Sequence, residues 1–245
     1  MELHQSLQGG PVPAGATSIP NFPCYRTVQQ TLSDLNDLHQ QYPQLTRLLD
    51  IGDSWHKING NGNNGHDIFD LVLTNQQQAG PKPALVIIAA IHAREYATAE
   101  LATRFAERLL SQYDIDPDIT WILDEFEIHI IPQLNPDGRG IAENFNTRFK
   151  RKNDNSNFCS NNDETRGVDL NRNSSVLWGG AGTSSNQCSD VFLGPNPASE
   201  PETQAIENHL ATLFSDHRPG DPNSLTTPAA DDAQGLFISI HSFSE

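Results

Sequence analysis

The segment His92-Ala93-Arg94-Glu95-Tyr96 sets an imidazole and a carboxylate three positions apart, directly after the apolar run at residues 84–91. At a strand-to-helix turn, side chains so spaced can face one cleft, and open α/β sheets collect ligands at the carboxyl ends of their strands. His241 follows a second apolar stretch, residues 236–240, in the same strand-end position. Zinc accepts imidazole nitrogen and carboxylate oxygen, and a catalytic zinc keeps three protein ligands and one open position. His92, Glu95 and His241 are therefore a candidate metal triad. Spacing alone leaves an alternative open, because His-x-x-Glu arises by chance and a histidine at a strand end also serves as a hydrogen-bonded structural residue. A helical His-Glu-x-x-His arrangement is absent, so that type of metal site is not indicated. The other histidines (His4, His39, His56, His66, His129, His209 and His217) show no partnering pattern and read as surface or structural residues.

Cations form the second group of candidates. Lys150-Arg151-Lys152 would ordinarily be a solvated face. In a chain with 15 Lys and Arg against 31 Asp and Glu, net charge −16, a local concentration of cations in a polar loop region would also attract a carboxylate. It would support a metal in polarising a carbonyl. The overall acidity, spread along the chain, argues against nucleic acid or an anionic membrane as partner. No apolar stretch approaches the length of a bilayer span. Residues 1–10 lack a charged segment followed by an apolar run, so they do not read as a signal peptide. Of the three cysteines, Cys159 and Cys188 flank a polar loop and neither lies in a CxxC. Pairing them would close a loop of about 30 residues, worth roughly 3 kcal/mol. The sequence alone leaves that pairing open.

The elements that must position these residues follow from periodicity. Residues 1–22, with Gly9, Gly10, Pro11, Pro13, Gly15 and Pro20, read as a flexible leader. Apolar residues at Val28, Leu32, Leu35 and Leu38 predict a helix over 25–42, ended by Pro43. Strands are predicted at 45–51 and 68–73, joined through the turn-rich residues 59–65. Residues 84–91 and 126–134 read as strands buried on both faces. A helix over 96–112 would use Leu101, Phe105, Leu109 and Leu110 as its core residues. Residues 140–200 have little periodicity, and loops of that length usually serve a function. A helix over 201–214 and a last buried strand at 236–240 complete the pattern. Strands alternating with helices predict one α/β sandwich with a central, largely buried sheet.

Four segments in order, His92-Ala93-Arg94-Glu95, Asn135-Pro136-Asp137-Gly138, Gly167-Val168-Asp169-Leu170-Asn171-Arg172-Asn173 and Ile240-His241-Ser242-Phe243, resemble the zinc carboxypeptidases of the pancreatic A/B type. The resemblance covers roughly residues 24–245 and implies a mixed sheet with helices on both faces, an α/β/α domain over 23–245. It implies one zinc ion held by His92, Glu95 and His241. Asn171 and Arg172 would hold the substrate's terminal carboxylate, which suits a guanidinium fork. Arg148-Phe149-Lys150-Arg151-Lys152 resembles the family's Arg-x-Trp-Arg-Lys segment, so Arg151 would stabilise the oxyanion of the reaction. Arg94 falls on a further substrate-contacting arginine. The resemblance also implies a Cys159–Cys188 disulfide with Cys24 free, and with it a secreted or periplasmic protein. The partner would be a peptide or protein C-terminus, the enzyme a monomer.

The chain departs from the family at Lys150, where an aromatic is usual, and at Ser174, where a Trp often stands. The family's substrate-closing Tyr and general-base Glu lie well beyond the third zinc ligand, and Glu245 is too near His241 to be that base. A terminus directly after a core strand reads as an incomplete domain. Two other functions are compatible with these residues: a same-fold amidohydrolase acting on acyl-amino acids or cell-wall peptides, and an inactive module binding zinc and peptide termini.

Overall fold

The computed structural model describes residues 15–59, 65–161, 163–215, 226, 228 and 231–242. The histidines His4 and His217, the motif residue Phe243, and Glu245 lie outside them, as does residues 1–14 of the expected leader.

The chain opens with a small antiparallel pair, β1 (Ser18–Ile19) and β2 (Phe22–Arg26). Ile19 is buried beside Ala93, Tyr96 and Ala142. The flexible leader expected over residues 1–22 therefore does not extend to its last residues, which an apolar contact ties to the domain. The pair also delays the first helix, α1 (Val28–Gln41), to the N-cap Thr27, whose side chain accepts from the Gln30 amide.

Five strands then form the main sheet: β3 (Thr46–Asp53), β4 (Asp67–Leu73), β5 (Ala84–Ile88), β6 (Glu127–Ile131) and β7 (Leu236–Ser239). Their spatial order is β3-β4-β6-β5-β7. The β3–β4 and β4–β6 pairs are antiparallel, and β5 runs parallel to both β6 and β7. The sheet is mixed, as expected: β3 and β4 pair as antiparallel neighbours, whereas β5 reaches its parallel neighbour β6 through two helices. Those are α3 (Tyr96–Gln112) and α4 (Pro117–Glu125), and α4 was not anticipated. Its signal was present in Asp116-Pro117: Asp116 caps the amides of Asp118 and Ile119, and Pro117 takes the first helical position.

Alternation along the strands assigns the two faces. Leu71, Leu73, Ile128 and Ile130 pack with Leu35, Leu38, Leu109, Leu110 and Leu123 of α1, α3 and α4. Ile68, Val86, Ile88 and Ile131 pack on the other face with Ala205 and Ile206 of α6 (Pro201–Leu213). Helices thus cover both faces, and two short ones, α2 (Trp55–Ile58) and α5 (Pro136–Ala142), lie in the connections after β3 and β6.

Two expectations about the core need correction. Leu101 (56% exposed) and Phe105 (38%) of α3 face solvent, and the buried stripe is Ala99, Ala102, Thr103, Ala106, Leu109 and Leu110. Ala102 and Ala106 of that stripe pack in one cluster with Leu71, Ile128 and Ile130 of the sheet. The last strand is also not buried: Leu236, Phe237 and Ile238 are 57%, 43% and 38% exposed. It is the outermost strand, paired only with β5 among the described residues.

Candidate metal centre

The apolar run before His92 stops being a strand at Ile88. Ala89 still bonds to the Ile131 carbonyl, but Ala90 takes a positive φ of 52° and turns the chain off the sheet. Such a conformation is uncommon for a residue with a Cβ. Here the Ala90 amide donates to the Thr98 hydroxyl on the first turn of α3. The turn brings His92 and Glu95 to the sheet edge just before Tyr96. Glu95 occupies the cap position of α3 without using its side chain as a cap. Its carboxylate is left for another partner, beside a helix N-terminus that favours negative charge. On the neighbouring parallel strand, Ile240 donates to the Ile88 carbonyl and His241 follows.

The three side chains converge. His92 Nδ1 lies 2.8 Å from Glu95 Oε1, His241 Nδ1 lies 3.2 Å from His92 Nδ1, and His241 Nδ1 lies 3.2 Å from Glu95 Oε2. Zinc bonds of about 2.0–2.1 Å in tetrahedral geometry separate neighbouring ligand atoms by roughly 3.3 Å. The donor set and its spacing therefore fit a zinc ion. Both imidazoles turn Nδ1 inward and place Nε2 against an oxygen, His92 on Asp169 Oδ1 (3.2 Å) and His241 on the Ser239 hydroxyl (3.2 Å). Outer partners of this kind fix the tautomer and the ring orientation of a metal-binding histidine.

Electrostatics match. Burial raises the Glu95 carboxyl, but hydrogen bonds from His92 and the Ser242 amide outweigh it and hold the group below its ordinary range. Asp169 is likewise opposed by burial and yet lowered, by His92 and Arg151. Burial lowers His241, which favours the neutral imidazole a metal needs. His92 is buried too, yet its bonds to Asp169 and Glu95 raise it, so a bound ion would replace a proton there.

Arg151 joins the centre through Asp169, whose Oδ2 accepts from Arg151 Nε (3.1 Å) and Nη2 (2.9 Å). Arg151 Nη1 then lies 3.4 Å from His92 Nδ1, so the guanidinium faces the triad. The loop carrying these groups has little regular structure and is ordered by side chains. Val168 and Asn153 exchange backbone and side-chain bonds, and Gly167 sits between them at φ +99°. A Cβ there would meet the Asn153 carbonyl oxygen at 2.0 Å, so only glycine fits. Asn153 donates in turn to Glu200 and Glu202 at the start of α6.

The flanking lysines are not a solvated face. Lys150 is fully buried, and its ammonium donates to Asp154 and to the carbonyls of Asp163 and Arg166. Lys152 is buried and donates to the Gln187 carbonyl. Burial pulls both ammonium groups down to about 8. Lys150 thus replaces the expected aromatic with an internal ion network that includes Arg166 and His56, both paired to Asp154.

Arg94 lies near the Phe149 carbonyl and 3.6 Å from Asp190. Asn171 and Arg172 sit on the 3-10 turn Leu170–Arg172 immediately after Asp169. Arg172 is half-buried and turned toward its loop, donating to the carbonyls of Gly182 and Asn171. Cys159 and Cys188 form a disulfide, and Cys24 is free and exposed. Asp169 is the residue that sequence reasoning passed over. It stood inside the Gly167–Asn173 motif, but its partners are 77 and 18 positions away. Two residues read as unpartnered histidines, His129 and His209, share the carboxylate of Asp70.

An α/β sheet gathers two imidazoles and a carboxylate at its carboxyl edge, with an arginine facing them, as a candidate metal centre. The chain belongs to the zinc carboxypeptidase family, whose model matches residues 31–245. It is 33% identical over 234 residues to carboxypeptidase A1 of Sus scrofa, covering 95% of this chain and 48% of that protein. Metallocarboxypeptidase A of Trichophyton rubrum is 33% identical over 230 residues, covering 94% and 48%. Among solved structures, the carboxypeptidase A of Helicoverpa armigera superposes with a TM-score of 0.69 at 26% identity, covering 94% of this chain and 50% of that one. Thrombin-activatable fibrinolysis inhibitor gives a TM-score of 0.69 at 25% identity, covering 90% and 48%. The chain spans about half the length of the curated relatives it matches.

Proposed function

We propose that the protein is a zinc-dependent exopeptidase that removes C-terminal residues from peptides. The observation that carries this reading is the convergence of His92 Nδ1, Glu95 and His241 Nδ1, with Arg151 turned toward them by Asp169. These three residues would hold one zinc ion, which when bound acidifies a water and polarises a carbonyl. Asp169 keeps the His92 proton on Nε2, which leaves Nδ1 as a lone-pair donor. Arg151 presents its guanidinium where negative charge develops on the scissile carbonyl oxygen, and fixed donors of this kind act strongly in a partly buried site.

Asn171 and Arg172, next along the chain from Asp169, would receive the terminal carboxylate, with Arg94 as a further contact. Binding of a free carboxylate is what restricts cleavage to the last residue. The disulfide suits an oxidising compartment, and we infer that the protein is exported. The test is a pair of peptides differing only in a free or amidated C-terminus, offered to the native protein with and without a zinc chelator. Cleavage of the free peptide alone, abolished by the chelator, is expected. Equal rates on both peptides would refute the carboxylate clamp.

A further inference from the structure

On the face of the sheet covered by α6, a second group of donors is buried away from the candidate centre. Asp70 on β4 and His129 on β6 are fully buried, and His209 reaches them from α6. Asp70 Oδ2 lies 2.6 Å from His129 Nδ1 and 2.8 Å from His209 Nε2, and the imidazole centroids are 5.6 Å apart. Donor atoms of all three residues lie within 4.8 Å of one another.

Hydrogen bonding alone leaves this group incompletely satisfied. Asp70 Oδ1 and His129 Nε2 are buried without a hydrogen-bond partner among the described residues. If neutral His129 carries its proton on Nδ1, for Asp70, then Nε2 aims a lone pair at Glu127 Oε2, 3.7 Å away. The buried imidazole then sets a lone pair against a half-buried carboxylate, which is unfavourable. A cation on the Asp70 side removes the conflict. His129 would bind it through Nδ1 and carry its proton on Nε2, toward Glu127. That would repeat the carboxylate–histidine–metal arrangement proposed for His92 with Asp169.

We propose that Asp70, His129 and His209 form a second site for a divalent cation of the zinc type, structural in role, cross-linking α6 to strands β4 and β6. Two imidazoles and one carboxylate are a zinc donor set. The nitrogen–oxygen distances of 2.6 and 2.8 Å must open by roughly 0.7 and 0.5 Å to reach tetrahedral ligand separations. The α6 helix also supplies Glu200 and Glu202, which hold the Asn153 loop, so the clip would stiffen the support of the candidate centre.

Zinc is counted by mass spectrometry on the native protein after dialysis, and on variants whose fold is checked by circular dichroism. Wild type is expected to hold about two equivalents and the His92→Ala/His241→Ala variant about one. Adding His209→Gln to that variant is expected to remove the remainder. Zinc should also raise the thermal midpoint of the His92→Ala/His241→Ala variant, whose second triad is untouched. Titrating cobalt into the same variant should give visible absorption bands. A single equivalent in wild type that disappears with His92 and His241 would overturn the proposal and leave a hydrogen-bonded network. A single equivalent retained without His92 and His241, but lost with His209, would support this site and refute the first.

Discussion

Replacing Asp169 with Asn should weaken zinc binding without removing any ligand. Asp169 is fully buried; Oδ1 accepts from His92 Nε2 and the Asn171 amide, and Oδ2 accepts two bonds from Arg151. All four contacts call for an acceptor. The amide group of Asn must turn a donor toward either His92 or Arg151, and the negative charge between them is lost. Loss of an outer partner typically costs about 10–100-fold in metal affinity. At about 1.4 kcal/mol per factor of ten, this is about 1.4–2.8 kcal/mol. Competition with a chromophoric zinc chelator, on protein shown to be folded, reads this directly. Arg151 would lose its anchor as well, so hydrolysis should fall further than zinc loss explains once zinc is saturating. An affinity within about threefold of wild type, on a folded variant, would refute the assignment of Asp169 as the residue that orients His92.

Two further outcomes concern stability. The Cys159–Cys188 bond spans 29 positions, so its reduction should lower the unfolding free energy by about 3–4 kcal/mol on the chain-entropy account. Urea titrations with and without reductant measure this, and coincident curves would contradict it. Glu202 is completely buried, and burial followed by repulsion from Glu200 pushes its carboxyl up to about 8. Folding therefore binds a proton between the ordinary carboxyl value and that raised one, and stability should fall as pH rises through this window. Glu202→Gln keeps an acceptor for the Trp55 amide and should flatten the decline. A wild-type thermal midpoint independent of pH between about 5 and 8 would refute this reading.

The strands and the candidate triad were legible because each left a local mark: a continuous apolar run at β5, Ile128, Ile130 and Ile131 at β6, and His-x-x-Glu at the turn between β5 and α3. The cluster of Asp70, His129 and His209 left none. Its members are 59 and 80 positions apart, and each alone resembles an ordinary polar residue in an amphipathic element. Lys150 misled for a related reason. A lysine at the head of Lys150-Arg151-Lys152 reads as solvated, and only the fold brings Asp154 and two carbonyls around its ammonium. On α3, charge and size misassigned the stripe: alanines marked the buried side, and larger apolar residues were left outside. The exposure of β7 depends on what covers a sheet edge, which periodicity does not encode.

The proposed activity requires one ion joining residues 92, 95 and 241. Crystals of the zinc-loaded native protein, recorded on either side of the zinc absorption edge, locate that ion without reference to activity. The expected anomalous peak lies about 2.0–2.2 Å from His92 Nδ1, His241 Nδ1 and a Glu95 carboxylate oxygen. A map with no peak among these three side chains, at full zinc occupancy of the protein, would contradict it.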